Sequence, residues 1–152
     1  MNYMQSPKLN KGDHDKFRLS YATSGAAAVD LRAAFYEDNK SLTLLPGERY
    51  TFNTGVMVEI PVNHVGIVAI RSGLARNRGL TLMNGIGIID SDYRGEVGVC
   101  IYNGSNEAVT IEHGDRIAQL MVLPITCNNW NLVDSLTETD RGSGGFGSTG
   151  VN

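Results

Sequence analysis

Residues 56–70, VMVEIPVNHVGIVAI, decide the fold class of this chain. Two runs rich in Val and Ile, 56–60 and 65–70, flank Pro61, which ends the first run because proline has no N–H to give to a strand ladder. Similar short runs lie on both sides, separated by turn signals such as Pro46-Gly47. They cover residues 42–45, 50–52, 80–83, 97–102, 108–111 and 117–125. This pattern predicts an all-β protein, a sandwich or a barrel.

Two stretches depart from the strand pattern. Residues 72–78 predict one short helix of about two turns, with Ser72 as the N-cap and Gly79 as the C-terminal stop. Residues 141–152 are rich in Gly and Ser and cannot build a core of their own. We therefore divide the chain into a β-barrel domain, residues 1–140, and a flexible Gly-rich C-terminal lid, residues 141–152.

The composition limits the classes of partner. The chain has 152 residues and a net charge of −3, which suits one domain and gives no electrostatic reason to bind nucleic acid or an anionic membrane. Cys100 and Cys127 are expected to be free thiols. The N-terminal segment is too polar for a signal peptide, and no apolar run is long enough to span a membrane. We expect a cytoplasmic protein.

Two segments place polar groups where a plain barrel does not need them. Asp30 stands inside the small apolar run 26–33, and a buried carboxylate must find donors. Arg71, Ser72 and Gly73 lead from a strand into the helix, where a guanidinium, a hydroxyl and open backbone amides could cradle a phosphate. The structural alternatives are a hydrogen-bonded Asp30 and a simple helix cap at Ser72.

A third segment, residues 84–96, combines glycines with carboxylates. Gly85 and Gly87 would leave space beside the backbone for a flat ligand, as in a tight hairpin. Asp90 is placed to act as a general base, whereas Asp92 and Tyr93 fit both a site and an ordinary turn. The same carboxylates could in principle form a glycosidase pair, but no other feature of the sequence indicates a sugar site.

Two further segments are ambiguous when taken alone. In residues 114–120, Arg116 could pair with Asp115 or another acid, and Gln119 among apolar neighbours could be a buried amide with a fixed partner. Residues 141–150 contain the spacing G-x-G-x-x-G, yet no strand–helix unit surrounds it, so a dinucleotide site is excluded. The alternatives for this tail are a flexible end or a lid that closes over a ligand.

Taken in order, these five segments resemble the five motifs of the homotrimeric dUTPase family. They read Ala-Val-Asp-Leu-Arg-Ala, Arg-Ser-Gly-Leu-Ala, Gly-Ile-Ile-Asp-Ser-Asp-Tyr-Arg-Gly, Gly-Asp-Arg-Ile-Ala-Gln-Leu and Arg-Gly-Ser-Gly-Gly-Phe-Gly-Ser-Thr-Gly. The resemblance spans residues 24–150, nearly the whole chain. It implies hydrolysis of dUTP to dUMP and pyrophosphate, which limits uracil incorporation into DNA and supplies dUMP for dTMP synthesis.

The resemblance also implies an architecture. The family fold is a jelly-roll β-barrel with one short helix, and its C-terminal arm is exchanged in a homotrimer. Each of three shared active sites would then take residues from three subunits. Asp30, residues 71–73 and Gln119 would come from one subunit, residues 84–93 from a second, and residues 141–149 from a third.

By the same resemblance, each site residue receives a role. Asp90 would be the general base on water that attacks the α-phosphorus, and Gln119 would help to hold that water. The phosphate-binding residues would be Arg71, Ser72, Gly73, Arg141, Ser148 and Thr149. The residues on the base and the sugar would be Asn84, Gly87, Ile88, Ile89, Tyr93, Gly98 and Phe146, with Gly98 on the strand that opposes the hairpin of residues 87–89. Mg²⁺ would bridge the phosphates without a direct protein ligand, with Asp30 at most a water-mediated contact.

Two departures from the family pattern and two alternatives remain. Ile70 stands where proline is common before the arginine, and residues 27–29 stand where Gly and an aromatic residue or Leu are common. These departures leave the packing around Arg71 open. The alternative functions are a dCTP deaminase on the same fold and a non-enzymatic trimeric nucleotide sensor.

Overall fold

The computed structural model describes residues 1–145, and most of their regular secondary structure is β-strand. The strands are β1 (Asn2–Gln5), β2 (Val29–Arg32), β3 (Ser41–Leu44), β4 (Arg49–Glu59), β5 (His64–Ile70), β6 (Leu80–Leu82), β7 (Gly87–Ile89), β8 (Glu96–Asn103), β9 (Val109–Glu112) and β10 (Arg116–Pro124). The described part also holds one α-helix, α1 (Ser72–Arg78), and one short 3-10 turn (Lys11–Asp13).

The strands form three antiparallel sheets. One sheet has the order β1-β4-β8-β6, a second has the order β2-β10-β5-β7, and β3 pairs with β9 in a small third sheet. All of the pairings found among the described strands are antiparallel. The predicted all-β, jelly-roll class is therefore confirmed.

The core lies between the two large sheets. Along β8 the buried residues Val97, Val99 and Ile101 alternate with more exposed ones, as a strand with one inward face requires. Phe52 of β4 is 1% exposed and meets the ring of Phe35 edge-on at 5.9 Å. Each such large apolar side chain stabilises the fold by roughly 1.5–3 kcal/mol when buried.

β4 joins two runs that the sequence analysis kept apart, 50–52 and 56–60. Its register against β8 shifts between Asn53 and Met57, which is a β-bulge opposite Val97. The Thr54 hydroxyl donates to the carbonyl of Val97 at 2.7 Å, and Gly55 has φ +69°. The bulge therefore absorbs the extra residues without ending the strand, as bulges do.

Helix α1 begins one residue away from the predicted cap. Ser72 is its first helical residue, and the N-cap is Arg71, with φ −70° and ψ 134° and without a side-chain capping bond among the described residues. The expected capping role of Ser72 is therefore wrong, because the backbone already turns at Arg71. The stop is confirmed: Gly79 is left-handed, and its N–H bonds to the carbonyl of Leu74.

Residues 125–145, called the arm below, leave the barrel after β10. The backbone N–H of Ile125 donates to the carbonyl of Asn63 at 2.8 Å. Beyond that point the described residues of the arm contain no strand, and nearly all of their side chains are exposed. Within residues 1–145, no helix has the length and apolar character that crossing a membrane would take.

Candidate active site

The strand register brings three of the predicted site residues together at one end of β5. Asp30 of β2 lies directly opposite Gln119 of β10, and Gln119 lies opposite Ala69 of β5. Directly paired residues share one face of a sheet, and the neighbours Leu31, Ala118 and Leu120 are buried on the other face. Arg71 follows two residues after Ala69, so it emerges from the same outer face.

A group of charges surrounds Asp30 on this face. Its Oδ1 lies 3.0 Å from Nε of Arg71 and its Oδ2 lies 3.2 Å from Nη1 of Arg116. Arg32 lies near these charges. Its pKa is lowered first by its own burial and then by the positive charge of Arg116. The arginine cluster (Arg32, Arg71 and Arg116 around Asp30) therefore carries more positive than negative charge. Such an excess favours an anionic ligand.

The carboxylate of Asp30 is only partly satisfied by these arginines. Its side chain is 18% exposed, and Oδ1 makes no aligned hydrogen bond within residues 1–145 although the Arg71 cation is near. The contact with Arg71 is therefore an ion pair without hydrogen-bond alignment. The alternative in which Asp30 is simply a hydrogen-bonded structural residue does not describe this geometry fully.

Ser72 and Gly73 are open at the start of α1. Both residues are exposed, and a Cβ built at Gly73 would meet no atom within 4 Å. Because the Ser72 side chain does not cap the helix, its hydroxyl can still donate to a ligand. A ligand next to Arg71 could therefore also reach this hydroxyl and the adjacent backbone amides.

Gln119 differs from the buried amide that its apolar neighbours suggested. The residue is only half-buried on β10. Among the hydrogen bonds of the described residues, none involves its side-chain amide. Its amide therefore faces the same outer surface as Asp30 with both a donor and an acceptor to offer.

The segment from residue 84 to residue 95, called the Asp90 segment below, contains one open glycine and one packed glycine. Gly85 has φ +73°, and a Cβ there would meet no atom within 4 Å. Gly87 is different, because a Cβ there would lie 3.0 Å from Cβ of Val68. The expectation that Gly87 leaves space for a flat ligand is therefore corrected: its missing side chain lets β7 pack closely against β5.

The expected hairpin is also different in its pairing. Gly87, Ile88 and Ile89 form β7, which pairs with β5 and not with the strand that carries Gly98. Gly98 lies on β8 in the other large sheet, opposite Asn53. The chain crosses between the sheets at residues 83–86, where the amide of Met83 donates to the carbonyl of Cys100 at 2.9 Å. The turn that holds Asn84 therefore begins beside β8, two residues away from Gly98.

Asp90 lies at the other end of β5 from the arginine cluster. It follows Ile89, whose partner is Gly66, so it lies level with Val65, whereas Arg71 stands six residues further along the chain. Six residues of a strand span about 20 Å. Asp90 is exposed, with no side-chain hydrogen bond to the described residues. One subunit therefore does not bring Asp90 to Arg71, Ser72 and Gln119.

Tyr93 is held near Asp90 by its hydroxyl. This hydroxyl donates to the carbonyl of Glu96 at 2.9 Å, while the residue remains 42% exposed. Arg94 beside it donates to the carbonyl of Ser91 at 2.7 Å. The segment thus presents Asp90 and one face of an aromatic ring on the same exposed turn.

Only part of the predicted lid falls within the described residues. Arg141 is exposed, and its Nε donates to the carbonyl of Gly144 at 3.0 Å, so it contacts none of the other predicted site residues. Phe146, Ser148 and Thr149 lie outside the described residues. Within residues 1–145, no group of three His, Cys, Asp or Glu side chains is close enough to hold a metal ion.

Three participants of this surface were not predicted from the sequence. Arg116 was expected to pair with Asp115 or another acid, and its partner is Asp30, whereas Arg32 received no role. Alternation along β2 places Arg32 on the same face as Asp30, so this signal was available in the sequence. Glu96, which accepts the bond from Tyr93, was missed because its own side-chain partner Tyr36 lies 60 residues away.

Comparison with known proteins gives one consistent result. A family model described as dUTPase matches residues 17–150. The deoxyuridine 5'-triphosphate nucleotidohydrolase of Desulfitobacterium hafniense is 50% identical over 133 residues, which are 87% of this chain and 86% of that relative. The protein of the same name from Anaeromyxobacter sp. (strain Fw109-5) is 51% identical over 130 residues, 86% of this chain and 85% of that relative.

Solved structures agree with the sequence relatives. The Staphylococcus bacteriophage 80alpha dUTPase with dUPNHPP has a TM-score of 0.80 and 26% identity, and the match covers 99% of this chain and 98% of that chain. The dUTPase from Streptococcus mutans has a TM-score of 0.74 and 24% identity, covering 86% of this chain and 100% of that chain. At that identity the second likeness concerns the fold alone.

Proposed function

This chain belongs to the dUTPase family, and from that premise we propose how its own side chains convert dUTP into dUMP. The family match covers most of the chain, and curated relatives at about 50% identity carry the name of this activity. The chain is a dUTP diphosphatase. The observation that carries the assignment on the structural side is the positively charged arginine cluster next to Gln119 and the open residues Ser72 and Gly73.

In the proposed reaction, water attacks the α-phosphorus of dUTP. A bond forms between the water oxygen and the α-phosphorus, and the bond from that phosphorus to the oxygen bridging to the β-phosphate breaks. Pyrophosphate leaves, and Asp90 accepts the proton of the water. The exposed carboxylate of Asp90, free of ion pairs among the described residues, supports a role as base.

The phosphates would be bound from the opposite end of β5. Arg71, the Ser72 hydroxyl and the Gly73 amide would bind phosphate oxygens and stabilise the charge that develops in the transition state. Gln119 would hold the attacking water and a phosphate oxygen. The excess positive charge around Asp30 supports this role, since a triphosphate would offset it.

The base and the sugar would be read by the Asp90 segment. Backbone groups of Gly87, Ile88 and Ile89, with Gly98 and the Asn84 side chain, would contact the uracil edge and leave little room for a C5 methyl group. Tyr93 would pack on the deoxyribose and exclude a ribose 2′-OH. Phe146 would stack on the base, worth roughly 1–3 kcal/mol by analogy with other base–aromatic stacks.

These two groups of residues would meet between subunits of a homotrimer. The separation of about 20 Å along β5 supports this, because residues so far apart cannot hold one water and one phosphate. A second support is an apolar row on the outer face, where Ile88, Ile67 and Met121 lie directly opposite one another. Such a row on a solvent face is typical of an interface.

The arm would complete the assembly. Trp130 is 96% exposed and Leu132 is fully exposed, and Leu136 is also exposed, although these are large apolar side chains. Apolar side chains of this size in a segment without partners of its own indicate docking on another copy, as an exchanged C-terminal arm would achieve. The arm would then carry residues 141–152 to a neighbour's site as the lid, separate from the barrel domain of residues 1–140.

Mg²⁺ fits this site as a companion of the substrate. The family is typically metal-dependent, and when bound the ion would neutralise phosphate charge. Asp30 already faces Arg71 and Arg116, and these cations disfavour direct coordination of a third cation. Substrate oxygens and water would therefore hold Mg²⁺, with Asp30 reached at most through water. Arg71 and Ser72 would orient the phosphates that carry it.

The cytoplasm is the proposed location of the protein. Cys100 and Cys127 are both free, which suits a reducing compartment such as the cytoplasm.

Deleting residues 141–152 should leave the trimer intact but inactive. Size-exclusion chromatography and turnover measurements on the truncated protein test this directly; dissociation of the trimer would instead make this segment part of the interface.

The decisive experiment for the activity is a product assay. We expect purified full-length protein to release pyrophosphate and dUMP from dUTP with Mg²⁺, and much more slowly after chelation of the metal. dCTP, assayed in parallel for ammonia release, should give no product. Ammonia from dCTP, or no pyrophosphate from dUTP, would contradict the proposed function.

A further inference from the structure

Gly95 lies directly under the ring of Tyr93. A Cβ built at position 95 would overlap the Tyr93 hydroxyl oxygen and would lie 2.6 Å from Cζ and 3.0 Å from Cε2. Contacts this short do not occur, so any side chain at position 95 would displace the ring. The glycine is therefore what allows the hydroxyl end of the Tyr93 ring to approach the backbone so closely.

The need for glycine here arises from space and not from backbone conformation. Gly95 is absent from the glycines with positive φ, which include Gly85 and Gly79. Alanine could therefore adopt the same backbone at position 95 without strain. Because Tyr93 is partly exposed, its ring has free space to swing into, so a larger residue would move the ring and leave the fold unchanged.

Glu96, the hydrogen-bond partner of Tyr93, is itself held in place. The Tyr93 hydroxyl donates to the backbone carbonyl of Glu96, and the Glu96 carboxylate accepts two hydrogen bonds of its own. Its Oε1 accepts from the Tyr36 hydroxyl and from the amide of Gly55 at 2.7 Å, within the bulge of β4. The position of the ring is thus set by Gly95 on one side and by this anchored carbonyl at its tip.

We propose that Gly95 is a specificity-positioning residue that sets the distance between the Tyr93 ring and the sugar of the substrate. This inference rests on the proposed role of Tyr93 against the deoxyribose. With glycine at position 95, the Tyr93 ring can lie as close to the backbone as its atoms permit, and it is held in one position. A fixed ring can reject a single added hydroxyl group by contact, whereas a displaced ring leaves a gap that admits it.

The test compares dUTP with UTP. We expect wild-type protein to prefer dUTP strongly in kcat/KM. In Gly95→Ala the preference should fall by about tenfold or more, chiefly through faster UTP hydrolysis, because one hydroxyl group in a loosened pocket is weakly rejected. The melting temperature should stay near that of the wild type. Gly12→Ala is the matched control, since a Cβ at this exposed glycine meets no atom within 4 Å.

A second variant tests whether Gly95 acts through Tyr93. Tyr93→Phe removes the hydroxyl that bonds to Glu96, so it should lower the preference as well. The double variant should fall little below Gly95→Ala alone, because changes that act through one ring are not additive. Additive losses would show that Gly95 acts by another route and would overturn the inference.

The remaining outcomes separate the inference from its premise. An active wild type whose preference for dUTP is unchanged in Gly95→Ala would overturn the inference alone. A wild type that does not hydrolyse dUTP would overturn the proposed function and this inference with it. An equal loss of preference in Gly12→Ala would show a nonspecific effect of alanine and would also overturn it.

Discussion

The two ends of strand β5 differ in chemistry. At its C-terminal end, Arg71 and Arg116 face the half-buried Asp30, and positive charge is in excess. At its N-terminal end, Asp90 is exposed on a turn that carries no arginine cluster of its own. One end is suited to bind phosphate, and the other is suited to accept a proton.

The separation of these two ends is the reason for proposing a site that is shared between subunits. The barrel has a continuous core from Phe52 to Leu120, so a single chain can fold. The arm, in contrast, leaves Trp130 and Leu132 in solvent. A complete core, separated site residues and an exposed apolar arm in one subunit support the proposed assembly of several copies.

The largest effect is expected at the proton-accepting end. Asp90→Asn should lower kcat by about 10²–10⁴-fold, because an amide cannot act as a general base, while dUTP still binds. Rapid-quench turnover and equilibrium titration of dUTP measure the two quantities separately. Asp92→Asn, the exposed neighbour, should stay near the wild type. Unchanged kcat in Asp90→Asn would remove this end from the chemistry.

The second effect is expected at the phosphate-binding end. Arg71→Ala should lower kcat/KM by roughly 10²–10³-fold, since it removes a cation that stabilises developing charge. Arg76→Ala on the same helix is the control, because Arg76 is exposed and forms no ion pair within residues 1–145. If both variants lose the same amount of activity in steady-state assays, the cluster around Asp30 is not the phosphate site.

A smaller effect is expected from the arm. Truncating Trp130 or Leu132 to alanine removes an apolar side chain whose burial is worth roughly 1.5–3 kcal/mol. The dissociation constant of the assembly should therefore rise about 10- to 100-fold, as measured by analytical ultracentrifugation across a dilution series. Asn131→Ala between them should change it little. Unchanged assembly in the Trp130 and Leu132 variants would mean that the arm docks elsewhere or remains free.

The smallest effect is expected on stability at high pH, from the hydrogen bond between Tyr36 and Glu96 next to the Asp90 segment. Burial first, and then the hydrogen bond to Glu96, raise the pKa of Tyr36 above its ordinary value of 10.0. A raised pKa means that the folded state binds the phenol proton of Tyr36 more tightly than the unfolded state does. The contribution of this proton to the stability of the fold is therefore complete below pH 10, and it is lost as the pH rises through the pKa of Tyr36 in the folded state.

Thermal melts of wild type and Tyr36→Phe test this sign. The wild type should melt at a higher temperature at neutral pH, because it retains the bond to Glu96, and the difference should narrow above about pH 10. Tyr21→Phe, at a tyrosine that is 63% exposed, should show no such trend. A difference that grows with pH would contradict the assignment.

The sequence predicted the fold class from local patterns but could not predict how the strands pair. Runs rich in Val and Ile, separated by turn signals, predicted β5, β8 and β10. β1 was missed because Asn2–Gln5 is mostly exposed, and the bulge of β4 was read as a break. Strand pairing depends on the tertiary structure. The expected pairing of residues 87–89 with the strand of Gly98 was therefore wrong, since β7 pairs with β5.

The candidate site followed the same division. The order of five motifs predicts Asp30, Arg71, Asp90 and Gln119 as site residues, because these motifs are short local patterns. Contacts such as Arg116 with Asp30, 86 residues apart, depend on register and were not available. The distance along β5 between the two parts of the site also emerged only from the pairing of β7 with Gly66.

Mixing two inactive variants tests most directly whether the site forms between copies. Asp90→Asn and Arg71→Ala are each purified, dissociated, mixed in equal amounts and reassembled, and dUTP hydrolysis is compared with each variant alone. If the two residues act from neighbouring subunits, about a quarter of the sites in randomly mixed trimers hold both intact residues. The account predicts recovery of about a quarter of wild-type activity. No recovery in verified mixed trimers would contradict it.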